Sequence, residues 1–251
     1  RSFGTPHELE IEMAKKLVEL YPGVDMVRFT NSGLEATLLA IRMARAMTGK
    51  TKIAKCEGHY HGGYNRVLLS VQPEADRAGE DDCPVAVPES MGITEDEVAQ
   101  TVILPFNHWE AAEKVLRRHA HELAAVILEP VQGGFIPADS VYMQRLRQLT
   151  EELNIILIFD EVKTGFRVSL GGAQHVYGIK PDLTALGKVL GGGFPIGAVG
   201  GKKKIMMITD PRRGRDILTT GDSHSGAERV LFHSGTYNGH PIVLAAGLET
   251  I

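Results

Sequence analysis

Three short stretches hold side chains where they could do chemistry. Lys188 follows the apolar run Leu183-Thr184-Ala185-Leu186-Gly187 and precedes Val189-Leu190 and three glycines, Gly191-Gly192-Gly193. Most lysines solubilise a surface. Between apolar and glycine-rich flanks, however, an amine loses proton affinity by desolvation and can form a Schiff base with a carbonyl. Asp160 and Glu161 end a second run, Ile156-Leu157-Ile158-Phe159. A solvated strand end would explain them, but a carboxylate abutting four apolar residues is costly unless it meets a cation, and a protonated ring nitrogen is one. The third stretch is Phe29-Thr30-Asn31-Ser32-Gly33-Leu34-Glu35-Ala36, where a strand gives way to a helix. Ser32 and Glu35 have capping-box spacing, so the turn reads either as a plain cap or as an anion site made by free amides and the helix dipole. Gly33 would let the backbone approach a ligand closely.

A phosphate turn, a carboxylate for a ring nitrogen and an imine-forming lysine together fit pyridoxal 5'-phosphate, whose usual protein contacts include the last two. The elements that would position them alternate along the chain. Strand-like runs fall at Met26–Thr30, Lys52–Cys56, Thr101–Leu104, Ala124–Leu128, Ile155–Phe159, Leu183–Leu186 and Ile196–Val199. Helical periods fall at His7–Leu20, Leu34–Thr48, Trp109–His121 and Tyr142–Leu153. Such alternation predicts an α/β fold: a mostly parallel seven-stranded sheet in a three-layer αβα arrangement, one domain over 1–251, with ligands at the carboxyl ends of the strands. The run Ile155-Ile156-Leu157-Ile158-Phe159 is apolar at every position, as a strand covered on both faces must be.

Composition narrows the function classes. The 251 residues carry 27 Lys plus Arg and 31 Asp plus Glu, a net charge of −4, so no basic field argues for nucleic acid. A hydrophobic content of 43% with 23% charged residues excludes a disordered chain. Glycine is high, 28 residues, where about 7% is usual, and suggests tight turns near phosphate. Two cysteines, Cys56 and Cys83, exclude a disulfide scaffold and suggest a reducing, cytoplasmic setting. No apolar run reaches the roughly 18 residues of a transmembrane helix, and no signal peptide opens the chain. The chain starts at Arg1, and Pro241–Ile251 reads as a helix without a stop signal, so a piece of a longer protein is expected.

The sequence resembles the class III pyridoxal-phosphate-dependent aminotransferases, and is most similar to their glutamate-1-semialdehyde 2,1-aminomutase-like members. The resemblance covers nearly the whole chain. It rests on Asn31-Ser32-Gly33-Leu34-Glu35-Ala36, Tyr60-His61-Gly62, Glu129-Pro130-Val131, the run from Asp160 to Arg167, Leu186-Gly187-Lys188 with the glycines that follow, and Gly235-Thr236-Tyr237-Asn238-Gly239. It implies the large domain of fold-type I enzymes, with an N-terminal segment and a small C-terminal domain lying outside this chain. It also implies that Lys188 holds the cofactor as a Schiff base and later shuttles the proton, and that Asp160 pairs with the pyridine nitrogen. Val162 and Tyr60 would cover the two ring faces. Ser32, Gly33 and Leu34 would bind the phosphate, and His61, Glu129 and Lys163 would complete the cofactor-binding set. Thr236 would reach the phosphate of the neighbouring subunit in a homodimer. The implied activity is amino-group transfer between an amine or amino acid and an oxo acid or aldehyde. The alternatives are an intramolecular 2,1-aminomutase acting on glutamate-1-semialdehyde and a non-catalytic domain of the same fold. The presence of both Lys188 and Asp160 speaks against the last.

Some positions depart from the family pattern. Many members have Gln, and the aminomutase-like ones usually Met, where this chain has Lys163; a cation there would face the cofactor's phenolic oxygen or turn away. Gly134 replaces the Glu that often gates 2-oxoglutarate users, and Gly171-Gly172-Ala173-Gln174 matches the aminomutase side. Leu34 stands where Thr is frequent, leaving only an amide for phosphate. Segment 72–100 has nine acidic residues, one basic residue and three prolines; a structureless stretch of that size is functional or disordered, and the resemblance implies a lid. A basic stretch, 202–229, reads as a solvated face. Glu57, His59 and His61 could bind zinc, but no Cys-x-x-Cys supports it. His119 and His121 read as surface residues, and Trp109 as core.

Overall fold

The computed structural model describes residues 7–210 and 230–251. The strands of its main sheet are β1 (Met26–Thr30), β2 (Lys52–Cys56), β3 (Thr101–Leu104), β4 (Leu123–Leu128), β5 (Ile156–Asp160), β6 (Leu183–Gly187) and β7 (Gly197–Gly201). The longer helices are α1 (Glu8–Leu20), α2 (Gly33–Thr48), α3 (Trp109–His119), α4 (Ser140–Glu152), α5 (Gly172–Tyr177) and α6 (Pro241–Thr250). The strand order is β1-β7-β6-β5-β4-β2-β3. Only β7 runs antiparallel to its neighbours, β1 and β6; the other pairings are parallel.

Side-chain alternation divides the core between the two faces. Ile53, Ala125, Ile127, Ile158, Ala185 and Val199 pack under α2, whose Ala36, Leu39, Ala40 and Met43 point inward. The next residue along each central strand points the other way. Ala54, Val126, Leu128, Leu157 and Phe159 meet α3 and α4, while Phe29, Leu186 and Ala198 meet α1 and α6. Every residue of β4 and β5 is buried, which is why those segments read as unbroken apolar runs. The seven-stranded, three-layer expectation therefore holds.

The boundaries differ in instructive ways. Helix α3 stops at His119 because Ala120–Glu122 turns: the Glu122 amide bonds to the His119 carbonyl, and Lys50 Nζ donates to the Ala120 carbonyl at 2.7 Å. Segment 72–100 is not structureless. Gly79–Glu80 pairs with Cys83–Pro84, and a capped helical turn covers Glu95–Val98. Its acidic side chains do structural work: Glu89 accepts from the amides of Val71 and Gln72, and Glu97 accepts from Thr94 and Asn65. Trp109 is partly buried against the core, and His119 binds Glu122 at 2.6 Å. Most of the basic stretch, including Arg212, Arg213 and 221–228, lies outside the described residues.

Candidate active site

Register brings the site together at the carboxyl edge of the sheet. Asp160, the last residue of β5, lies opposite Ala185 of β6, three residues before Lys188. Phe159 lies opposite Leu128 of β4, so Glu129 emerges beside Asp160. Strand β1 ends at Thr30 and leads into the turn that opens α2.

That turn leaves backbone amides free at a helix N-terminus. Ser32 is the N-cap, and its side chain accepts from the Glu35 amide at 3.2 Å. The reciprocal bond is displaced by one residue: the Glu35 carboxylate takes the amide of Asn31 at 2.7 Å, not that of Ser32. As the first two helical residues, Gly33 and Leu34 have amides with no intrahelical acceptor, and the helix dipole makes that end positive. Close approach is built in. A Cβ on Gly33 would lie 2.6 Å from Val162 Cγ1, and one on Gly187 would lie 3.3 Å from Gly33 Cα. The turn, the Val162 side chain and Gly187, which precedes Lys188, are thus packed against one another.

Lys188 has a φ of +46°, in the left-handed region. For a residue with a side chain this costs on the order of 1 kcal/mol or more, and such strain gathers where function fixes the geometry. Burial holds its ammonium below the usual lysine range; Asp160 and Glu129 oppose that shift, while Lys163 and Arg167 add to it. Asp160 is almost fully buried, at 4% exposure. One oxygen accepts from the Val162 amide at 3.1 Å, and the other meets His61 Nδ1 at 2.7 Å.

Glu129, equally buried, accepts from the amides of Tyr60 at 3.0 Å and Gly133 at 3.3 Å. Its remaining oxygen pairs with Lys163 Nζ at 3.4 Å. Lys163 therefore turns into the site. Glu129 spends its lone pairs on holding Tyr60, itself half-exposed, over the cavity rim.

Of the catalytic and cofactor-binding residues expected from sequence, all but Ser32 and Thr236 line one cavity of about 160 Å³. Ser32 lies just outside it as the helix cap. Thr236 lines a separate groove of about 1110 Å³ between α1, β1 and residues 233–238, although Asn238 does reach the turn through Asn31 at 2.9 Å. Sequence reasoning missed Thr37, whose hydroxyl donates to the Leu34 carbonyl or to the His61 carbonyl at 2.6 Å, tying α2 to the Tyr60 loop. Its signal was its place one helical turn after Gly33. It also missed Arg167, which joins Lys163 and Lys188 around an adjoining depression of about 410 Å³. Zinc is not supported: among the described residues no group of three His, Cys, Asp or Glu side chains could hold a metal. His59 and His61 are both buried, and His61 lines the cavity.

Glu161 has a different task. It is fully buried and accepts from Thr164, from the amides of Ala173 and Gln174, and from the Gln174 side chain. Gln174 also accepts from the Gly23 amide and donates to Thr184. Gly172 has a φ of +67°, and a Cβ there would collide with the Glu161 carboxylate. The run Gly171–Gln174 thus pins β5 to α5 and does not line the cavity.

The donor set fits pyridoxal phosphate: amides and a dipole for a phosphate, a cavity lined by Val162 and Tyr60, a buried carboxylate for a ring cation, and an amine of lowered basicity. The sequence model of the family described as Aminotransferase class-III matches residues 2–251. A glutamate-1-semialdehyde 2,1-aminomutase of Ignicoccus hospitalis is 48% identical over 99% of this chain and 54% of its own length. An omega-transaminase from Sphaerobacter thermophilus superposes with a TM-score of 0.89 at 42% identity, over 99% of this chain and 54% of that one. A structure described as a transaminase with PLP bound gives a TM-score of 0.85 at 37% identity, over 99% and 54%. The chain spans about half the length of the curated relatives it matches.

Proposed function

Because the chain belongs to the class III aminotransferase family, we propose that the whole protein transfers amino groups between an amine or amino acid and an oxo acid or aldehyde, using pyridoxal 5'-phosphate. Residues 1–251 would be its cofactor-binding large domain. The cofactor, when bound, supplies an aldehyde that captures amines and a protonated ring that absorbs the charge left when a proton leaves the α-carbon. The chain's residues do the rest. Gly33 and Leu34 hold the phosphate with their amides, Ser32 fixes the helix end that presents them, and Val162 and Tyr60 flank the ring. The Asp160 carboxylate keeps the ring nitrogen protonated. Lys188 Nζ holds the cofactor and moves the α-proton; its lowered proton affinity puts more of it in the neutral, basic form near neutral pH. Lys163 and Arg167 give the adjoining depression a positive wall suited to a carboxylate-bearing substrate.

The observation that carries this reading is that Lys188 and Asp160 line the same cavity, beside the Gly33–Leu34 cradle. The test is to supply the full-length protein with cofactor and an amine plus an oxo acid, and separately with glutamate-1-semialdehyde alone. Turnover in neither sinks the proposal.

Turnover of the semialdehyde alone would establish the second reading, an intramolecular aminomutase. It is favoured by the printed function of the Ignicoccus relative and by Gly134, which lines the depression beside Lys163. The Gly171–Gln174 run carries less weight, since it serves the fold.

We also place Thr236 at the phosphate of a partner subunit in a homodimer, which sedimentation of the full-length protein would test. A cytoplasmic setting agrees with both cysteines being free. Among the described residues no helix is long and apolar enough to cross a membrane.

A further inference from the structure

His59 is a buried, titratable group that the proposed chemistry leaves unused. Its Nδ1 accepts from the Glu129 amide at 2.9 Å. An amide can only donate, so Nδ1 carries no proton, and the neutral ring carries it on Nε2. Burial, aided by the neighbouring His61, Lys55 and Lys163, holds His59 well below the usual histidine range, so the neutral ring is the relevant one. Its Nε2–H is buried and has no partner.

His61 is the mirror case. Its Nδ1 meets the Asp160 carboxylate at 2.7 Å. The Asp160 carboxylate can only accept, so His61 Nδ1 is a protonated nitrogen, and in the Nδ1–H tautomer Nε2 is an acceptor. That Nε2 is also buried and without a partner. The two rings face each other edge to face, centroids 5.9 Å apart, with Phe106 closing the other side of His59 at 4.6 Å. One ring thus offers an unused donor and its neighbour an unused acceptor in the same buried layer. Buried polar atoms of native proteins are rarely left this way.

We propose that His59 is a positioning residue for Asp160. One buried water accepts from His59 Nε2 and donates to His61 Nε2, so a chain of hydrogen bonds of one polarity runs from the Glu129 amide through both rings to the carboxylate. Such chains polarise each member, and a polar site with two partners is where a buried water is held. The chain fixes the Nδ1–H tautomer of His61 and therefore where the Asp160 charge points. The proposal rests on the reading that Asp160 serves the cofactor's ring nitrogen, but its central test does not.

That test is long-range proton–nitrogen NMR of the full-length protein without cofactor, labelled at histidine. The expected spectrum has His59 as the Nε2–H tautomer, and His61 as the Nδ1–H tautomer with an Nε2 shift marking an accepted hydrogen bond. His59→Phe keeps an aromatic ring but no donor, and should move the His61 Nε2 shift to that of a free acceptor. His59→Gln offers both an acceptor and a donor, and should restore it. With cofactor, His59→Phe should weaken binding about twofold to tenfold, the worth of one hydrogen bond, and His59→Gln should recover it. An Nδ1–H tautomer at His59, or a His61 spectrum indifferent to His59→Phe, overturns the relay. If His59→Phe does not fold, the wild-type His61 Nε2 shift decides the matter: the value of a free acceptor overturns the relay. Failure to bind pyridoxal phosphate would refute the proposed function and leave the NMR result standing.

Discussion

Gly33→Ala sets two physical effects against each other at the phosphate turn. Gly33 is the first residue of α2 and has no positive φ, so the backbone tolerates alanine. Helix propensity alone predicts a gain of up to about 1 kcal/mol. Packing predicts the reverse. The added methyl would lie 2.6 and 2.8 Å from the two γ-carbons of Val162, and 3.3 Å from its Cβ. Carbons rest about 3.5–4.0 Å apart, so Val162 must move by roughly 1 Å. Overpacking of this kind costs about 1–3 kcal/mol. With the full propensity gain subtracted, packing wins by up to about 2 kcal/mol, and because the displaced atoms belong to the proposed ring cover and cradle, cofactor binding should weaken by up to about 30-fold. The assay is titration of the full-length protein, stripped of cofactor, with pyridoxal phosphate, followed by visible absorbance, beside thermal unfolding of the unloaded protein. Val162→Ala removes the colliding γ-carbons. The Gly33→Ala/Val162→Ala double variant should therefore bind better than the product of the single effects predicts, with a coupling above about 1 kcal/mol. Additive effects, within the roughly 0.5 kcal/mol expected of independent sites, would refute the account of a turn packed on Val162.

Four further outcomes are expected. Lys188→Ala should abolish both the visible band of the lysine-bound cofactor and turnover, while thermal stability of the unloaded protein holds or rises because a half-buried amine is gone and alanine bears the same left-handed backbone; an unchanged band would exclude Lys188 as the attachment point. Lys163→Met removes a cation that depresses the proton affinity of Lys188, so the limb of the pH–rate profile that rises with pH should move to higher pH; a shift to lower pH would contradict the arrangement of charges. Arg167→Ala should raise KM for a carboxylate-bearing substrate more than it lowers kcat, and leave an uncharged amine donor untouched, as steady-state kinetics would show. Lys55 is fully buried with its ammonium on the Leu69 carbonyl, and burial pushes its pKa down to about 8. Between that value and the unfolded value of about 10.4 the unfolded chain holds more protons, so this lysine's destabilising contribution fades as pH rises through the window. The melting temperature of Lys55→Met should lack that rise, and equal pH slopes for variant and wild type would refute it.

Much of the fold was legible because strands buried on both faces must be apolar throughout. The runs ending at Leu128 and Phe159 are apolar at every position, and polar residues placed directly after such runs had to be functional or paired. That logic singled out Lys188 and Asp160, and capping-box spacing singled out the Ser32–Leu34 turn, without any contact information. What sequence could not supply was who meets whom across the edge of the sheet. His61 lies behind Asp160, 99 residues away in the chain, and His59 under Glu129, 70 residues away. Lys163 turns toward Glu129, and Gly171–Gln174 serves Glu161 instead of the cavity. Burial and periodicity are properties of each segment and are written locally. The partners of a charge or a tautomer depend on strand order and register, which arise only when β5 settles between β4 and β6 and brings distant loops to one edge.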